Sequence, residues 1–259
     1  MATTGLVTDL VNELSLTAET KWEDVSLFTP YLHDQALLYE FADCLAAQTF
    51  LRMAQLPYSV KQRPNAEFIS STGHIPFLKT QKLLVSGFSN IVEFVSRKGV
   101  SLSSDLQETQ IAEMRAQMAV IDHLLRNVEI YLVWKHDETY RSVTKARYGS
   151  VYYWPLSYVL PTFRRRDMLT KLQDAEWRDK TMEEVVEQSE KAFRSLSFQL
   201  GTNPFLFGDS PTEADALMFG HLFTILTVRL PAMDVFNLLK KFPNLIEFTQ
   251  RVNRDFFKQ

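Results

Sequence analysis

Apolar residues recur at two different spacings and divide the chain into two parts. Over residues 35–99, short apolar runs alternate with helical patterns. The runs predict strands at residues 36–39, 58–61, 77–79 and 82–85. Helices are predicted over residues 45–53 and around Ile91, Phe94 and Val95. The predicted order, βαβ followed by ββα, describes a small sheet covered by helices.

Helical spacing dominates the chain from Ser104 onward. A hydroxyl residue followed three positions later by Gln, Glu or Asp predicts a helix start at each of these capping boxes: Ser104 with Gln107, Thr181 with Glu184, and Thr212 with Asp215. Alternating steps of four and three residues predict the buried seam of a long helix: Met114, Met118, Ile121, Leu125, Val128 and Leu132. The second part of the chain is therefore predicted to be all-helical.

The most informative stretch is GTNPFLFGDSPTEADALMFGHL, residues 201–222. Thr212 is the predicted N-cap, because its hydroxyl can accept a hydrogen bond from the backbone N–H of Asp215 while the Asp215 carboxylate accepts one from the N–H of Thr212. The residues that follow, 216–230, are apolar on nearly every side. A helix of this kind lies in the middle of a domain, so Thr212 and Asp215 are predicted to have a structural role.

The segment of residues 1–32 is predicted to precede the fold. It contains apolar residues at helical spacing, which predict a short amphipathic helix: Leu6, Val7, Leu10, Val11 and Leu14. Such a helix packs on its own domain or contacts a partner or lipid. The chain is accordingly divided into an N-terminal extension (1–32), a part with strands and helices (33–100) and an all-helical part (101–259).

Composition and charge narrow the classes of function. The chain has 259 residues, 46% of them hydrophobic, which suffices for a sizeable core. Lys and Arg number 28 against 31 Asp and Glu, and the net charge of -3 gives no support to nucleic-acid binding. The single cysteine, Cys44, excludes an internal disulfide and suits a reducing compartment. No run approaches the ~18 apolar residues that span a bilayer, and the acidic N-terminus differs from a mitochondrial transit peptide.

Three stretches carry a resemblance to a known family: RYGSVYYWPL (residues 147–156), LGTNPFLF (200–207) and PTEADALMFGHL (211–222). They resemble the metaxins, and the similarity to the type 2 members of that family covers nearly the whole chain. The resemblance implies an α+β fold like that of the glutathione transferases, with a thioredoxin-like N-terminal half followed by an all-helical C-terminal half. It also implies that Pro76 is a structural cis-proline before the third strand, whereas a trans proline that opens an edge strand is the alternative.

A glutathione-dependent enzyme of this fold activates the thiol with a Ser, Tyr or Cys at the end of the first strand. The predicted strand places Phe41, Ala42 and Asp43 there, and none of them suits that task. Matching the later helix places Gly87 and Phe88 where the family binds the glutamyl end of glutathione through a carboxamide and a hydroxyl. No catalytic residue is therefore assigned, and the chain is predicted not to be an enzyme.

Two alternatives stay open at this point. Cys44 is either the nucleophile of an omega-type transferase or a buried structural residue beside Leu45 and Ala46. Ser86 and Ser89 lie close enough for a small shift of the alignment to restore the glutamyl-binding motif. The histidines show no metal-ligand spacing and the chain has no Gly-rich phosphate loop, so no metal or cofactor is predicted.

An aromatic cluster and a basic run are candidates for partner binding: Tyr148, Tyr152, Tyr153, Trp154 and Tyr158, and then Arg164, Arg165 and Arg166. Aromatic side chains are common both in helix corners and in interface hot spots. The arginines form either a solvated helix face or a contact to an acidic partner or to anionic lipid headgroups. The sequence alone does not choose between these readings.

The family resemblance implies the function. It implies a non-catalytic scaffold subunit that is peripheral on the cytosolic face of the mitochondrial outer membrane, in a heteromer with a membrane-anchored metaxin relative. The metaxins are linked to the machinery that imports and assembles outer-membrane β-barrel proteins, and to adaptors that couple mitochondria to motors. The alternatives are a glutathione-dependent transferase that uses Cys44 or a nearby serine, and a soluble homodimeric interaction module in the cytosol.

Overall fold

The structure is a computed structural model, which describes residues 22–64, 66–70 and 72–257. The amphipathic helix predicted within residues 6–14 lies outside these ranges. Among the described residues, a small sheet with three helices precedes a long series of helices, which confirms the α+β fold.

The sheet is built from β1 (Ser26–Thr29), β2 (Ser59–Gln62), β3 (Phe77–Lys79) and β4 (Leu84–Ser86). Its strand order is β2-β1-β3-β4, with β1 parallel to β2 and the other neighbouring pairs antiparallel. Leu27 of β1 lies opposite Leu78 of β3, and both side chains are fully buried. The peptide bond between Ile75 and Pro76, just before β3, is cis.

The first strand lies earlier in the chain than the sequence predicts. Residues 36–39, predicted as a strand, lead instead into helix α1 (Leu38–Met53). The prediction is wrong because a short apolar run that is buried on all sides has no periodicity that separates a strand from a helix. β1 falls within the segment predicted to precede the fold, residues 1–32. The other predicted strands are confirmed with their bounds shifted by at most two residues: 58–61, 77–79 and 82–85.

Two further helices belong to this half of the chain, α2 (Ala66–Ile69) and α3 (Phe88–Arg97). The apolar spacing of α3 is confirmed, since Ile91, Phe94 and Val95 are all buried. Helix α3 covers the sheet together with α1, because apolar side chains of α1 and α3 join one hydrophobic cluster with Leu27.

The helical half begins three residues later than predicted. Its cap is Gln107, whose backbone N–H donates to the side chain of Gln110 over 3.1 Å, and α4 (Glu108–Val120) follows. The box predicted to start at Ser104 is therefore wrong. The chain just before it is held in a turn by a distant residue, since the Glu213 carboxylate accepts a hydrogen bond from the backbone N–H of residue 102 over 3.0 Å.

The predicted seam is buried, but the helix that carries it is irregular. Wide π-helical turns occupy Ile121–Leu125 and Tyr131–Lys135, on either side of α5 (Arg126–Ile130). Met118 is partly buried, and the remaining seam residues are buried: Met114, Ile121, Leu125, Val128 and Leu132. The spacing thus predicts the buried face correctly although the turns vary in width.

The remaining helices are α6 (Asp137–Thr139), α7 (Lys145–Gly149), α8 (Leu156–Asp174), α9 (Met182–Leu200), α10 (Glu213–Thr227), α11 (Asp234–Leu239) and α12 (Pro243–Phe256), with a π-helical turn at Tyr140–Thr144. The box at the start of α9 is confirmed: the Thr181 N–H donates to the Glu184 carboxylate over 2.7 Å, and the Thr181 hydroxyl accepts from the Glu184 N–H over 3.3 Å.

Helix α10 lies in the core, as its apolar surface predicts. Twelve of its 15 residues are buried, and the capping box of Thr212 and Asp215 is formed at its start. At Gly220 the helix touches α1, because a Cβ placed there would lie 2.5 Å from the carbonyl oxygen of Ala42. One hydrophobic cluster runs through both halves of the chain, so the division between residues 100 and 101 stays a prediction.

Candidate functional site

A cleft of about 220 Å³ lies between the two halves of the fold. The first turn of α1, the chain before the cis peptide bond, α5 and α8 all contribute to its lining, which includes Tyr39, Glu40, Asp43, Glu67, His74, Ile75, Arg126, Arg164 and Lys171. The cleft therefore concentrates charged side chains of both signs, and it is the first candidate site.

Arg126 is held by two carboxylates in this cleft. Its Nη1 lies 2.6 Å from Asp43 Oδ2, and its Nη2 lies 2.8 Å from Asp43 Oδ1 and 2.6 Å from Asp122 Oδ1. Burial raises the pKa of the Asp43 carboxyl, and the guanidinium of Arg126 opposes that rise. The arginine is thus committed to neutralising the buried Asp43 and the partly exposed Asp122, and does not offer a free cation to an anionic ligand.

Arg164 is committed in the same way. Its Nη2 lies 3.2 Å from Glu67 Oε2, and the Tyr148 hydroxyl donates to Glu67 Oε1 over 2.9 Å. Burial raises the pKa of Tyr148, and the nearby Glu67 carboxylate raises it further. The first arginine of the predicted basic run is therefore part of an internal hydrogen-bond network that also fixes the first tyrosine of the aromatic cluster.

Glu40, in the first turn of α1, is a buried carboxyl group of the cleft. Unlike Asp43 and Glu67, it has no arginine bonded to it in the described structure. Its oxygens accept hydrogen bonds from the backbone N–H of Leu37 over 2.9 Å and from the Tyr39 hydroxyl over 3.0 Å. Burial raises the pKa of Glu40 to about 7. The cleft therefore contains a carboxyl group that exchanges its proton near neutral pH.

The positions predicted for thiol activation lie elsewhere. Phe41, Ala42 and Asp43 are inside α1 and not at the end of a strand, because β1 ends at Thr29. Thr29 is fully buried. The prediction that Phe41, Ala42 and Asp43 follow the first strand is therefore wrong, and neither these residues nor Thr29 offer a hydroxyl or thiol to the cleft.

Cys44 does not have the environment of a nucleophile. It is fully buried within α1, and burial together with the charges of Asp43 and Glu40 raises the pKa of its thiol well above the ordinary value. The thiolate is the reactive form, so this cysteine is held in its unreactive form. Its position favours the structural reading of Cys44.

The glutamyl-binding position is filled by apolar and backbone groups. Gly87 precedes α3 with φ of 84°, and the Phe88 ring is buried with its centroid 6.1 Å from that of Phe50. Ser86 is buried and accepts a hydrogen bond from the Ser70 hydroxyl over 2.9 Å, while Ser89 is exposed. Neither serine replaces the missing pair of groups, because one already has its partner and the other faces solvent.

Among the described residues, one group has the composition of a metal site: Asp43, Asp122 and His221 have ligand atoms within 4.8 Å of one another. Arg126 already bonds to both carboxylates, so a cation is not needed to balance them. His221 is fully buried and its Nδ1 lies 2.9 Å from Glu129 Oε1. Burial alone would lower the pKa of His221, but the Glu129 carboxylate raises it. His221 is therefore a hydrogen-bonded histidine of the core.

A second candidate site is an apolar surface on the helical half. It consists of six exposed side chains on the turn before α8 and the first two turns of that helix, here called the aromatic face: Tyr153, Trp154, Leu156, Tyr158, Val159 and Phe163. Tyr153 is 91% exposed and Trp154 is 81% exposed. Groups of exposed large apolar side chains mark interaction sites in proteins.

The predicted partner-binding residues divide into an inward and an outward set. Tyr148 and Tyr152 pack inward, with ring centroids 6.1 Å apart, and the Tyr148 centroid lies 5.6 Å from that of Trp134. Arg165 also turns inward, because its Nε donates to the Trp134 carbonyl over 2.9 Å and its guanidinium lies 4.1 Å from the Tyr140 ring centroid. The remaining predicted residues are exposed: Tyr153, Trp154, Tyr158 and Arg166.

Sequence reasoning missed the residues that extend the aromatic face beyond its own helix. Phe68 and Ile69 of α2 are 66% and 42% exposed. A cavity of about 310 Å³, here called the socket, lies between α2 and α8, and its walls include Phe68, Leu160 and Phe163. The spacing of apolar residues in α8 was a usable signal, but nothing in the sequence joins α8 to α2.

Comparison with known proteins agrees with this description. Residues 44–165 match the model of the family described as "Outer mitochondrial membrane transport complex protein", and residues 189–252 match that of the glutathione S-transferase C-terminal domain. A glutathione S-transferase of Ceriporiopsis subvermispora, solved with glutathione, superposes with a TM-score of 0.60 at 10% identity, over 90% of this chain and 97% of that one. The fold is therefore that of the glutathione transferases. In the part of the chain that the structure covers, no helix has the length and apolarity to cross a bilayer.

Relatives with curated names are more closely similar. The Metaxin-2 homolog of Caenorhabditis elegans is 60% identical over 88% of this chain and 100% of that protein. Metaxin-2 of Homo sapiens is 39% identical over 94% and 93% of the two chains, and Metaxin-1 of Mus musculus is 26% identical over 83% and 70%. The identity and coverage of these matches show that the chain belongs to the metaxin family.

Proposed function

We propose that the chain is a non-catalytic scaffold subunit of a metaxin complex of the mitochondrial outer membrane, where it acts in the import and assembly of β-barrel proteins. The observation that carries the proposal is the exposed aromatic face, on a fold in which the arginines of the cleft are ion-paired. The family description, which names an outer-membrane transport complex, supports the location.

The absence of catalysis is part of the proposal. Arg126 and Arg164 are bonded to carboxylates, Cys44 is buried, and the glutamyl-binding position holds the buried ring of Phe88. A charged tripeptide bound there would leave polar groups unpaired, at a cost of ~1 to 3 kcal/mol for each lost hydrogen bond. These contacts support a scaffold more than a transferase.

The proposed partner is a membrane-anchored metaxin relative, which docks on the aromatic face and holds the chain as a peripheral subunit on the cytosolic side. Through that heteromer the chain meets the machinery that assembles outer-membrane β-barrels, and in a further role the adaptors that link mitochondria to motors. Tyr153, Trp154 and Arg166 are the predicted contact residues that the structure exposes. The inward residues Tyr148 and Arg164 hold the face in place from beneath.

Replacement of Tyr153 and Trp154 with Ala tests the proposed docking surface. Buried aromatic anchors commonly contribute ~2 kcal/mol or more to an interface, so co-purification of the partner metaxin should fall about tenfold or more. Both side chains are exposed in the free chain, so the variant should keep the thermal stability of the original chain.

Phe198 provides the matched control. It is an aromatic residue of α9 that is 89% exposed and lies away from α8 in sequence. Phe198→Ala should leave co-purification unchanged. Equal retention of the partner by the double variant and by Phe198→Ala would remove the aromatic face from the proposed interface.

A further inference from the structure

We propose that the aromatic face receives an amphipathic α-helix of the partner, which inserts a large apolar side chain into the socket and pairs acidic side chains with Arg166 and Lys145. This inference rests on the proposed function, because it names the kind of element that docks on the same surface. In this proposal, a row of apolar side chains on α8 packs against the partner helix, the socket anchors it, and the neighbouring charges pair with its acidic residues.

The apolar stripe of α8 has the geometry of a helix–helix seam. Leu156, Val159 and Phe163 are 50%, 41% and 66% exposed, and with the half-buried Leu160 they stand at offsets of zero, three, four and seven residues. This offset pattern places the side chains in one row along two turns, over a length of ~12 Å. Rows of this kind pack into the groove of another helix, so the matching surface is a second helix.

The socket explains where such a helix would be anchored. It is open to solvent and lies at the side of the stripe, between Phe68 of α2 and Phe163 of α8. Three polar residues of its lining are bonded to each other, since Glu67 accepts from the Tyr148 hydroxyl and pairs with Arg164. Phe68, Leu160 and Phe163 give the socket apolar walls, and its volume of about 310 Å³ is at the lower end of the range of ligand pockets (~300–1,000 Å³). A large apolar side chain from a docked helix would pack against these walls.

The charges around the stripe indicate what flanks the apolar seam of the partner. Arg166 is exposed and follows Val159 by seven residues, so both lie on the same side of α8. Lys145 Nζ lies 5.0 Å from the centroid of the Tyr158 ring, near the N-terminal end of α8. Neither cation forms an ion pair within the described residues. Acidic side chains beside the partner's seam would therefore complement this flank.

A lipid surface fits this charge pattern less well than a helix does. Asp167 continues the row of Phe163 by one further turn, and its side chain is 50% exposed beside the socket. Asp167 forms ion pairs with Arg164 over 3.2 Å and with Lys171 over 3.7 Å. An anionic membrane would attract Arg166 but would compete with these ion pairs, since headgroups of one sign cover the whole surface. A helix can present different charges to the two positions, so the mixed flank favours a protein partner.

Photo-crosslinking from the socket tests the inference in the assembled complex. A photoreactive phenylalanine analogue at Phe163 is compared with the same analogue at Phe198, each in the full chain co-expressed with its membrane-anchored metaxin relative. The position at Phe163 should crosslink to one segment of the relative that has apolar residues at helical spacing with acidic residues beside them. The position at Phe198 should give no such product. A crosslink to an irregular segment, or to lipid, would overturn the inference.

Charge reversal supplies the second measurement. Arg166→Glu together with Lys145→Glu should lower co-purification about threefold to tenfold at low salt, and the difference should shrink at high salt. The control is Arg115→Glu, at an exposed arginine of α4, which should have no effect. Equal retention by the charge-reversed and control chains would overturn the acidic-helix assignment while the proposed function stands. Failure of the unmodified chain to retain the metaxin relative would instead contradict the proposed function itself.

Discussion

The carboxylate of Asp215 joins three parts of the chain at one buried point. Its Oδ2 accepts hydrogen bonds from the Thr212 N–H over 2.8 Å and from the Thr212 hydroxyl over 2.7 Å, and its Oδ1 accepts one from the Leu206 N–H over 2.8 Å. Burial raises the pKa of Asp215 to about 6, against the lowering effect of these donors. The capping residue predicted from sequence therefore also fixes the loop before the helix.

Glu40→Gln should stabilise the protein at alkaline pH. The pKa of this carboxyl is about 7 in the folded chain and ~4.3 when unfolded, so the folded state binds more protons between these values. Its contribution to stability is therefore present at low pH and is lost as the pH rises through 7. The neutral amide avoids that loss, and the free energy of unfolding at about pH 8 should rise by ~2 kcal/mol.

Urea denaturation at about pH 5 and at about pH 8 measures this difference. The gain from Glu40→Gln should be small at the lower pH and clear at the higher one. Glu113→Gln, at an exposed position of α4, is the control and should change little at either pH. A gain of equal size at both pH values would show that the substitution acts through packing and not through the buried charge.

At the scale of the elements, α1 and α10 pack in direct backbone contact. A Cβ at Gly220 would lie 2.5 Å from the carbonyl oxygen of Ala42 and 2.8 Å from the Cβ of Ala46. Neither neighbour is the flexible end of a long side chain. The two helices can therefore approach to this distance only with glycine at that position.

Gly220→Ala should lower the free energy of unfolding by ~2 to 3 kcal/mol, because the added methyl group forces the two helices apart. Helix propensity alone predicts the opposite sign, since Ala favours a helix interior by ~1 kcal/mol over Gly. Chemical denaturation decides between the two effects. Gly99→Ala is the comparison: its Cβ meets no atom within 4 Å, and its φ of 83° makes only a backbone cost of ~1 kcal/mol. A stabilised Gly220→Ala chain would contradict the close packing of α1 and α10.

At the scale of the whole molecule, the two halves have the fold of a glutathione transferase, but the arginines that line the cleft between them are paired with carboxylates. The chain should therefore give no heat and no thermal stabilisation when titrated calorimetrically with glutathione up to millimolar concentration. The reason is that Arg126 and Arg164 are already paired, and Phe88 fills the place of a hydrogen-bonding group. A glutathione transferase of the same fold is the positive control. Binding with a micromolar Kd, about -8 kcal/mol, would mean that the cleft rearranges and that the chain has to be assayed as an enzyme.

The order of elements was largely predictable, because much of it depends on local interactions. The caps at Thr181 and Thr212 were found because a capping box needs only residues three positions apart. The short strand β3 was predicted correctly, because a short apolar run directly after a proline is typical of a strand. β1 was not predicted, because its four residues are too few to show an alternation of apolar and polar positions. The more apolar run at residues 36–39 was predicted as the first strand instead.

The candidate site was less predictable, because exposure depends on distant neighbours. Tyr148 and Trp154 stand in one aromatic cluster, yet the first is 5% exposed and the second 81%. Arg164 and Arg166 differ in the same way, since only the first finds Glu67 across the fold. A cluster in the sequence shows which side chains are available and not which way they point.

The sequence by itself determined the α+β class, most helix starts, the buried seam and the membership of the metaxin family, since these depend on spacing and on residue identity. Only the tertiary structure decided which charges pair within the cleft, which aromatic residues face solvent, and that Phe68 and Phe163 wall one socket. Those residues are far apart in the chain. They come together because α2 and α8 pack side by side, and the pattern of a single segment does not record the segment against which it packs.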